Sequence, residues 1–215
     1  MRTVQRRRLI VEPYLYILLE KGTIAPMQPE NQGFWGVIKE TVRFVIITIL
    51  IVVPFRLFIA QPFIVSGDSM VPTFHNGEYL IVDELSYYLR EPSRGEVVIF
   101  RYPKEPSKFF IKRVVGLPNE TITIKNGRIE ITQVGGARVA LTEPYVKAEV
   151  LSDMNVVLAK DEYFVMGDNR NASSDSRFWG PVARPLVVGR AFARLLPIAQ
   201  ASVLPGNSIP LTTPL

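Results

Sequence analysis

The sequence predicts a mainly β domain carried behind one hydrophobic helix. Three observations predict it. A single long apolar run lies at residues 41–60, short β-branched and aromatic runs recur through residues 61–197, and one of these folds back at an Asn-Gly turn.

The 215 residues suffice for one domain with a real core plus an anchor. Hydrophobic residues make up 47 % and the net charge is +5. No run interleaves basic residues with exposed aromatics, so nucleic acid is not an expected partner. An anionic membrane surface takes the basic residues more naturally. The chain has no cysteine, which removes disulfides, thiolate nucleophiles, zinc ribbons and iron–sulfur sites together. His75 is the single histidine, so a His-rich metal centre is ruled out.

Residues 1–40 begin with Arg2, Arg6, Arg7 and Arg8 and read as a solvated or membrane-surface tail. Glu12 and Pro13 interrupt its apolar part and no small-residue cleavage site follows, so it is not a signal peptide. Residues 41–60, TVRFVIITILIVVPFRLFIA, have the length of a membrane-spanning helix, about 30 Å. Pro54 would kink that helix, and Arg56 lies near enough to its end to reach the headgroups. Lys39, Arg43 and the arginine cluster precede the span, and between Arg56 and Arg90 there is no Lys or Arg. The positive-inside rule therefore puts the N-terminus in the cytoplasm and residues 61–215 outside, although Arg56 alone points the other way.

In the β region the expected strands are PFIV (62–65), YLIVD (79–83), EVVIFRY (96–102), FFIKRVV (109–115), EYFVM (162–166) and LVVGRAFARL (186–195). The clearest unit is ITIKNGRIEI (122–131), a hairpin turning at Asn126-Gly127. A two-residue loop sets Ile124 opposite Ile129 and Ile122 opposite Ile131, all on one face. The tail 198–215 has no charge and three prolines, and is expected to be extended or disordered.

Three blocks carry chemistry. SGDSMVPTF (66–74) is a turn-rich loop able to present a serine; alone it reads more readily as a turn or cap. In FFIKRVVGLPNE (109–120), alternation puts Phe110, Lys112 and Val114 on one strand face and Phe109, Ile111 and Arg113 on the other. A lysine in a strand is usually a solvated edge charge. Lys112 has apolar neighbours, and burial lowers an ammonium's pKa; a drop of about 3 units, about 4 kcal/mol, would make it a base at neutral pH. The third block, VMGDNRNASSDSRFWGPV (165–182), packs Asp168, Arg170, Asp175 and Arg177 among small polar residues. It is not an EF-hand loop starting at Asp168, because Ser173 and Trp179 stand where Gly and Glu are required. The glycosylation sequon Asn171-Ala172-Ser173 reads as accidental.

In this order behind one N-terminal span, the three blocks resemble type I signal peptidase of the bacterial kind, over residues 40–195 or so. The resemblance implies a mainly β fold of two antiparallel sheets. The implied activity is cleavage of signal peptides from exported preproteins after small residues such as Ala-X-Ala. It implies a membrane-anchored serine endopeptidase without metal or cofactor, with signal peptides and the lipid bilayer as partners and the chain working as a monomer. The host would be a cell (inner) membrane or a thylakoid membrane, with the catalytic domain on the periplasmic or lumenal side.

The serine followed by Met-X-Pro, here Ser69, would be the nucleophile, and the lysine before Arg, here Lys112, the general base. Ser173 would hydrogen-bond the lysine, Asp175 and Arg177 would form a buried supporting ion pair, and Asp168 would pair with Arg113. Members reading Ser-Gly-Ser-Met use the first serine to bind the oxyanion. This chain has Gly67-Asp68 there, which leaves Ser66 a candidate beside the N–H groups of residues 67–69. Met70, Val71 and Phe74 would line the substrate cleft or touch lipid. Ser69 is nine residues past residue 60, a reach of about 30 Å, which keeps it near the bilayer surface.

His75 as the base of a Ser-His triad has no marked third partner. A self-cleaving Ser/Lys repressor would need a helix-turn-helix that residues 1–40 do not offer. A silent β module would lack the nucleophile or base that this chain has.

Overall fold

The computed structural model describes residues 34–54, 60–146, 152–207 and 211–214. The arginine cluster of the N-terminal tail and Arg56 lie outside them. The N-terminal helix α1 (Phe34–Pro54) begins seven residues before the expected span. It ends at Pro54, and Ala60 already belongs to a strand, so residues 41–60 are not one helix. No helix among the described residues is long and apolar enough to cross a membrane; Lys39, Glu40 and Arg43 interrupt the first half of α1.

The β domain forms two antiparallel sheets. The larger contains β1 (Ala60–Ile64), β2 (Tyr79–Asp83), β3 (Val97–Tyr102), β4 (Glu105–Gly116), β9 (Glu162–Met166), β10 (Val182–Ala183), β11 (Val187–Leu196) and β12 (Ser202–Val203). Its order is β1-β2-β11-β3-β4-β9-β10, with β12 on β11. The smaller contains β5 (Thr121–Lys125), β6 (Arg128–Thr132), β7 (Arg138–Thr142), β8 (Met154–Val157) and β13 (Leu211–Pro214), in the order β13-β7-β6-β5-β8. Two short helices, α2 (Ser86–Leu89) and α3 (Ser176–Trp179), lie in the connections.

The β5–β6 hairpin has the expected register, Ile124 opposite Ile129 and Ile122 opposite Ile131. Asn126 and Gly127 both take positive φ, 50° and 73°, the handedness that lets a two-residue turn follow the twist of its strands. The four isoleucines are buried and pack with Val115, Phe164 and Met166, joining the inner faces of both sheets in one core. A second cluster gathers Met70, Phe74, Leu80, Val82, Val97 and Ile99 beneath the serine loop. A third gathers Phe100, Val114, Tyr163 and Val165 on the face of β4 that also carries Lys112.

β4 runs from exposed at Glu105 to fully buried at Gly116, and so carries its side chains from solvent into the core. Lys112 pairs with Val98, and Arg113 lies between Val97 and Met166. Of the two alternatives expected for the C-terminal tail, its described strands take the extended one. Ser202–Val203 pairs with β11, Leu211–Pro214 pairs with β7, and the turn between them packs Gly206 against the core. Its uncharged residues are taken up by sheet edges that need backbone partners.

Candidate active site

The serine loop connects β1 to β2. Gly67, at φ 87°, takes a left-handed conformation that favours glycine, and its N–H donates to Asn76 Oδ1 at 3.0 Å. The loop is held from the other side by the 165–182 block. Asn169 donates from its backbone N–H to the Ser69 carbonyl at 3.0 Å, and from its side chain to the Asp68 carbonyl at 3.1 Å. Gly167 approaches so closely that a Cβ there would overlap both the Ser69 carbonyl oxygen and the Ser173 hydroxyl.

Lys112 is 4 % exposed. Its Nζ donates to Ser69 Oγ at 2.7 Å and to the Ile111 carbonyl at 2.9 Å, and lies 5.4 Å from the centre of the Phe110 ring. Burial pulls its pKa down to about 8, against an opposing pull from the Asp175 and Asp168 carboxylates. The pair opens on a cleft of about 450 Å³ whose walls include Phe63 and Ile64 of β1 and Phe109 and Ile111 of β4. A hydroxyl held against an amine that sheds its proton near neutrality has the arrangement that acyl transfer by a nucleophile and a base requires.

Two buried ion pairs frame it. Arg113 grips Asp168 with two bonds, Nε to Oδ1 at 2.8 Å and Nη2 to Oδ2 at 2.6 Å, and both side chains are 1 % exposed. The carbonyls of Gly95 and Gly206 accept from Arg113 Nη1, and Thr73 Oγ1 donates to Asp168 Oδ2. Arg177 reaches Asp175 at 2.7 and 2.9 Å. Asp175 also accepts from the Gly167 N–H at 3.0 Å and caps α3.

A family model described as signal peptidase, peptidase S26, matches residues 38–196. The chain belongs to the S26 signal peptidase family. It is therefore a serine peptidase, a hydrolase. Among S26 relatives, signal peptidase I T of Bacillus subtilis (strain 168) is 39 % identical over 168 residues, 72 % of this chain and 80 % of the relative. Signal peptidase I of Leptolyngbya laminosa is 33 % identical over 174 residues, 77 % of this chain and 83 % of the relative. Signal peptidase I of Pseudomonas aeruginosa is 30 % identical over 192 residues, 67 % of this chain and 68 % of the relative.

Within this S26 chain most of the expected residues converge, and several are corrected. Ser173 does not hydrogen-bond Lys112. Its hydroxyl is buried against Gly167 without a hydrogen-bond partner among the described residues, while the amine turns to its neighbour's carbonyl. Met70 and Phe74 are wholly buried beneath the loop and neither line the cleft nor reach lipid, because a turn closed by the Phe74 N–H on the Met70 carbonyl at 2.9 Å sets both on one side, in the second core cluster. Val71 is half-buried. Ser66 is exposed on the cleft wall. The Gly67 N–H is committed to Asn76, which removes it from the expected set of oxyanion donors. His75 lies 3.4 Å from Glu78, with no hydrogen bond to Ser69 among the described residues. Glu143 and Tyr145 were not singled out in the sequence; they join the site from 23 or more residues before Asp168, and no local spacing signals that.

Proposed function

We propose that the chain removes N-terminal signal peptides from exported preproteins, with Ser69 as nucleophile and Lys112 as general base. The observation that carries this reading is the 2.7 Å contact between Ser69 Oγ and an amine 4 % exposed, open to a cleft. The relatives named signal peptidase I support the substrate class.

Neutral Lys112 keeps one N–H on the Ile111 carbonyl and offers its lone pair to the Ser69 proton. Ser69 Oγ attacks the scissile carbonyl, and the proton passes to Nζ. The Ser69 N–H serves as one oxyanion donor, worth about 3 kcal/mol in the transition state, with Ser66 as candidate second donor. The ammonium then protonates the leaving amine. Once neutral again, Lys112 takes a proton from water, whose oxygen attacks the acyl ester; the ester C–O bond then breaks as the ammonium returns that proton to Ser69 Oγ, restoring both groups. The two ion pairs hold the loops. Cleavage follows small residues such as Ala-X-Ala, because the substrate runs extended along a wall whose large side chains are the enzyme's own Phe63, Ile64 and Phe109.

The apolar half of α1 contacts lipid in this reading. Phe44 and Leu50 are each 70 % exposed and Ile51 64 %, an apolar surface that water disfavours. In this reading the N-terminal segment anchors the enzyme as a single pass, N-terminus in the cytoplasm and catalytic domain outside, in a cell (inner) or thylakoid membrane.

The test incubates detergent-solubilised full-length enzyme with a preprotein ending its signal in Ala-X-Ala, and sequences the new N-terminus. Ser69→Ala and Lys112→Met are each expected to lower the rate by roughly 10³-fold or more with unchanged circular dichroism. Wild-type rate in either variant would end the mechanism.

A further inference from the structure

Glu143 follows β7 of the smaller sheet, yet its side chain is only 5 % exposed because it points to the catalytic loops. It pairs with Arg170, itself 2 % exposed. Arg170 Nε donates to the Gly167 carbonyl at 3.0 Å, and the Arg170 carbonyl accepts from Arg177 at 2.7 Å. Two residues on, Tyr145 donates its hydroxyl to Glu143 at 2.6 Å and lays its ring against the Arg113 guanidinium, 3.9 Å from ring centre to Cζ. One segment of the smaller sheet therefore touches both halves of the frame, the Arg113–Asp168 pair and the Gly167–Arg170 turn.

That turn is what holds Ser69. Gly167 packs on the Ser69 carbonyl, and Asn169 donates to it. We propose that Glu143, supported by Tyr145 and acting through Arg170, is a positioning residue that sets Ser69 Oγ against Lys112 Nζ. The proposal rests on the Ser69–Lys112 reading above. Mechanically, Glu143 clamps Arg170, Arg170 fixes the Gly167 carbonyl, and Gly167 packs against Ser173 and the carbonyl of Ser69, whose hydroxyl meets Lys112. With the clamp gone the turn relaxes, the hydroxyl drifts from the amine, and water reaches Lys112. The charged groups acting on that amine, Asp175 and Asp168, hang from the same turn and its neighbours.

The experiment measures kcat and KM against pH for the full-length enzyme, with rates expressed per active site titrated, well below each variant's melting temperature. For Glu143→Ala we expect kcat at pH 7 to fall about tenfold with KM within about twofold, as for a misplaced reacting pair. The acid limb of kcat/KM should move up by about half a pH unit as Lys112 regains solvent. Glu143→Gln, which can still accept from Arg170 and Tyr145, should recover most of the rate. Should Glu143→Ala not fold, Tyr145→Phe keeps the ring on Arg113, removes only the hydroxyl, and should move the limb the same way. Variants that melt earlier but keep the wild-type kcat and acid limb would show a purely structural role and overturn the proposal. A wild-type profile with no acid limb, or an active Ser69→Ala, would instead end the dyad reading, and the positioning role with it.

Discussion

An ammonium on Lys112 would sit among Phe110, Ile111 and the serine loop with almost no water, and that cost decides how the site behaves with pH. Burial holds its pKa near 8, against 10.5 for a free lysine. Below pH 8 the neutral base is lost about tenfold per pH unit, so log kcat/KM should rise with slope one and level off near pH 8. A flat profile from pH 5 to 8 with non-limiting product release would exclude a lysine base. The same shift has a stability consequence. Below pH 8 folded and unfolded chains both carry the proton, and between 8 and 10.5 only the unfolded chain does. The folded state should therefore gain about 3 kcal/mol from this group as pH rises through that window. Comparing the denaturation midpoints of the wild type and Lys112→Met at pH 7 and pH 10 isolates it. Wild type should gain on the variant at the higher pH, since the other lysines titrate in both.

The elements that position this pair differ in how far local sequence dictates them. The β5–β6 hairpin was legible because its turn chemistry, alternation and register lie within ten residues. At Gly127, φ 73° with open space around a would-be Cβ, the cost of a side chain is conformational alone. Gly127→Val should lower stability by about 1–2 kcal/mol in a denaturant titration while leaving kcat unchanged. Ser69, Lys112, Arg113, Asp168, Asp175 and Arg177 were legible through their three blocks, and the two ion pairs formed as expected. β7, β8 and β13 were not. Met154–Val157 and Leu211–Pro214 are short and pair with strands far along the chain, β5 and β7, while Arg138–Thr142 pairs locally with β6 but carries no turn signal as clear as Asn-Gly. Ser173, which the resemblance matches to a hydrogen bond with Lys112, makes none. The Lys112 amine donates to the Ile111 carbonyl instead, a backbone acceptor that no family motif marks.

Across the whole β domain the site is a joint product of both sheets and the C-terminal segment. Arg113 is fully buried; Asp168 supplies the opposite charge, and the Gly95 carbonyl, the Gly206 carbonyl and the Tyr145 ring reach it from three further stretches. Truncation after Val203 removes β13 and the Gly206 carbonyl that accepts from Arg113 Nη1. We expect a loss of about 2–3 kcal/mol, read as a lower urea midpoint, with residual activity per folded molecule falling as Asp168 shifts. An unchanged midpoint would show that the segment is dispensable to the frame.

The Gly206 carbonyl also sets a temporal order. It is separated by 93 residues from the guanidinium it satisfies. During synthesis Arg113 leaves the ribosome long before that acceptor exists, so a nascent chain can fold its hairpins early and still lack a settled proteolytic centre. The buried frame behind the serine loop is thus closed by one of the last segments of the chain to be made.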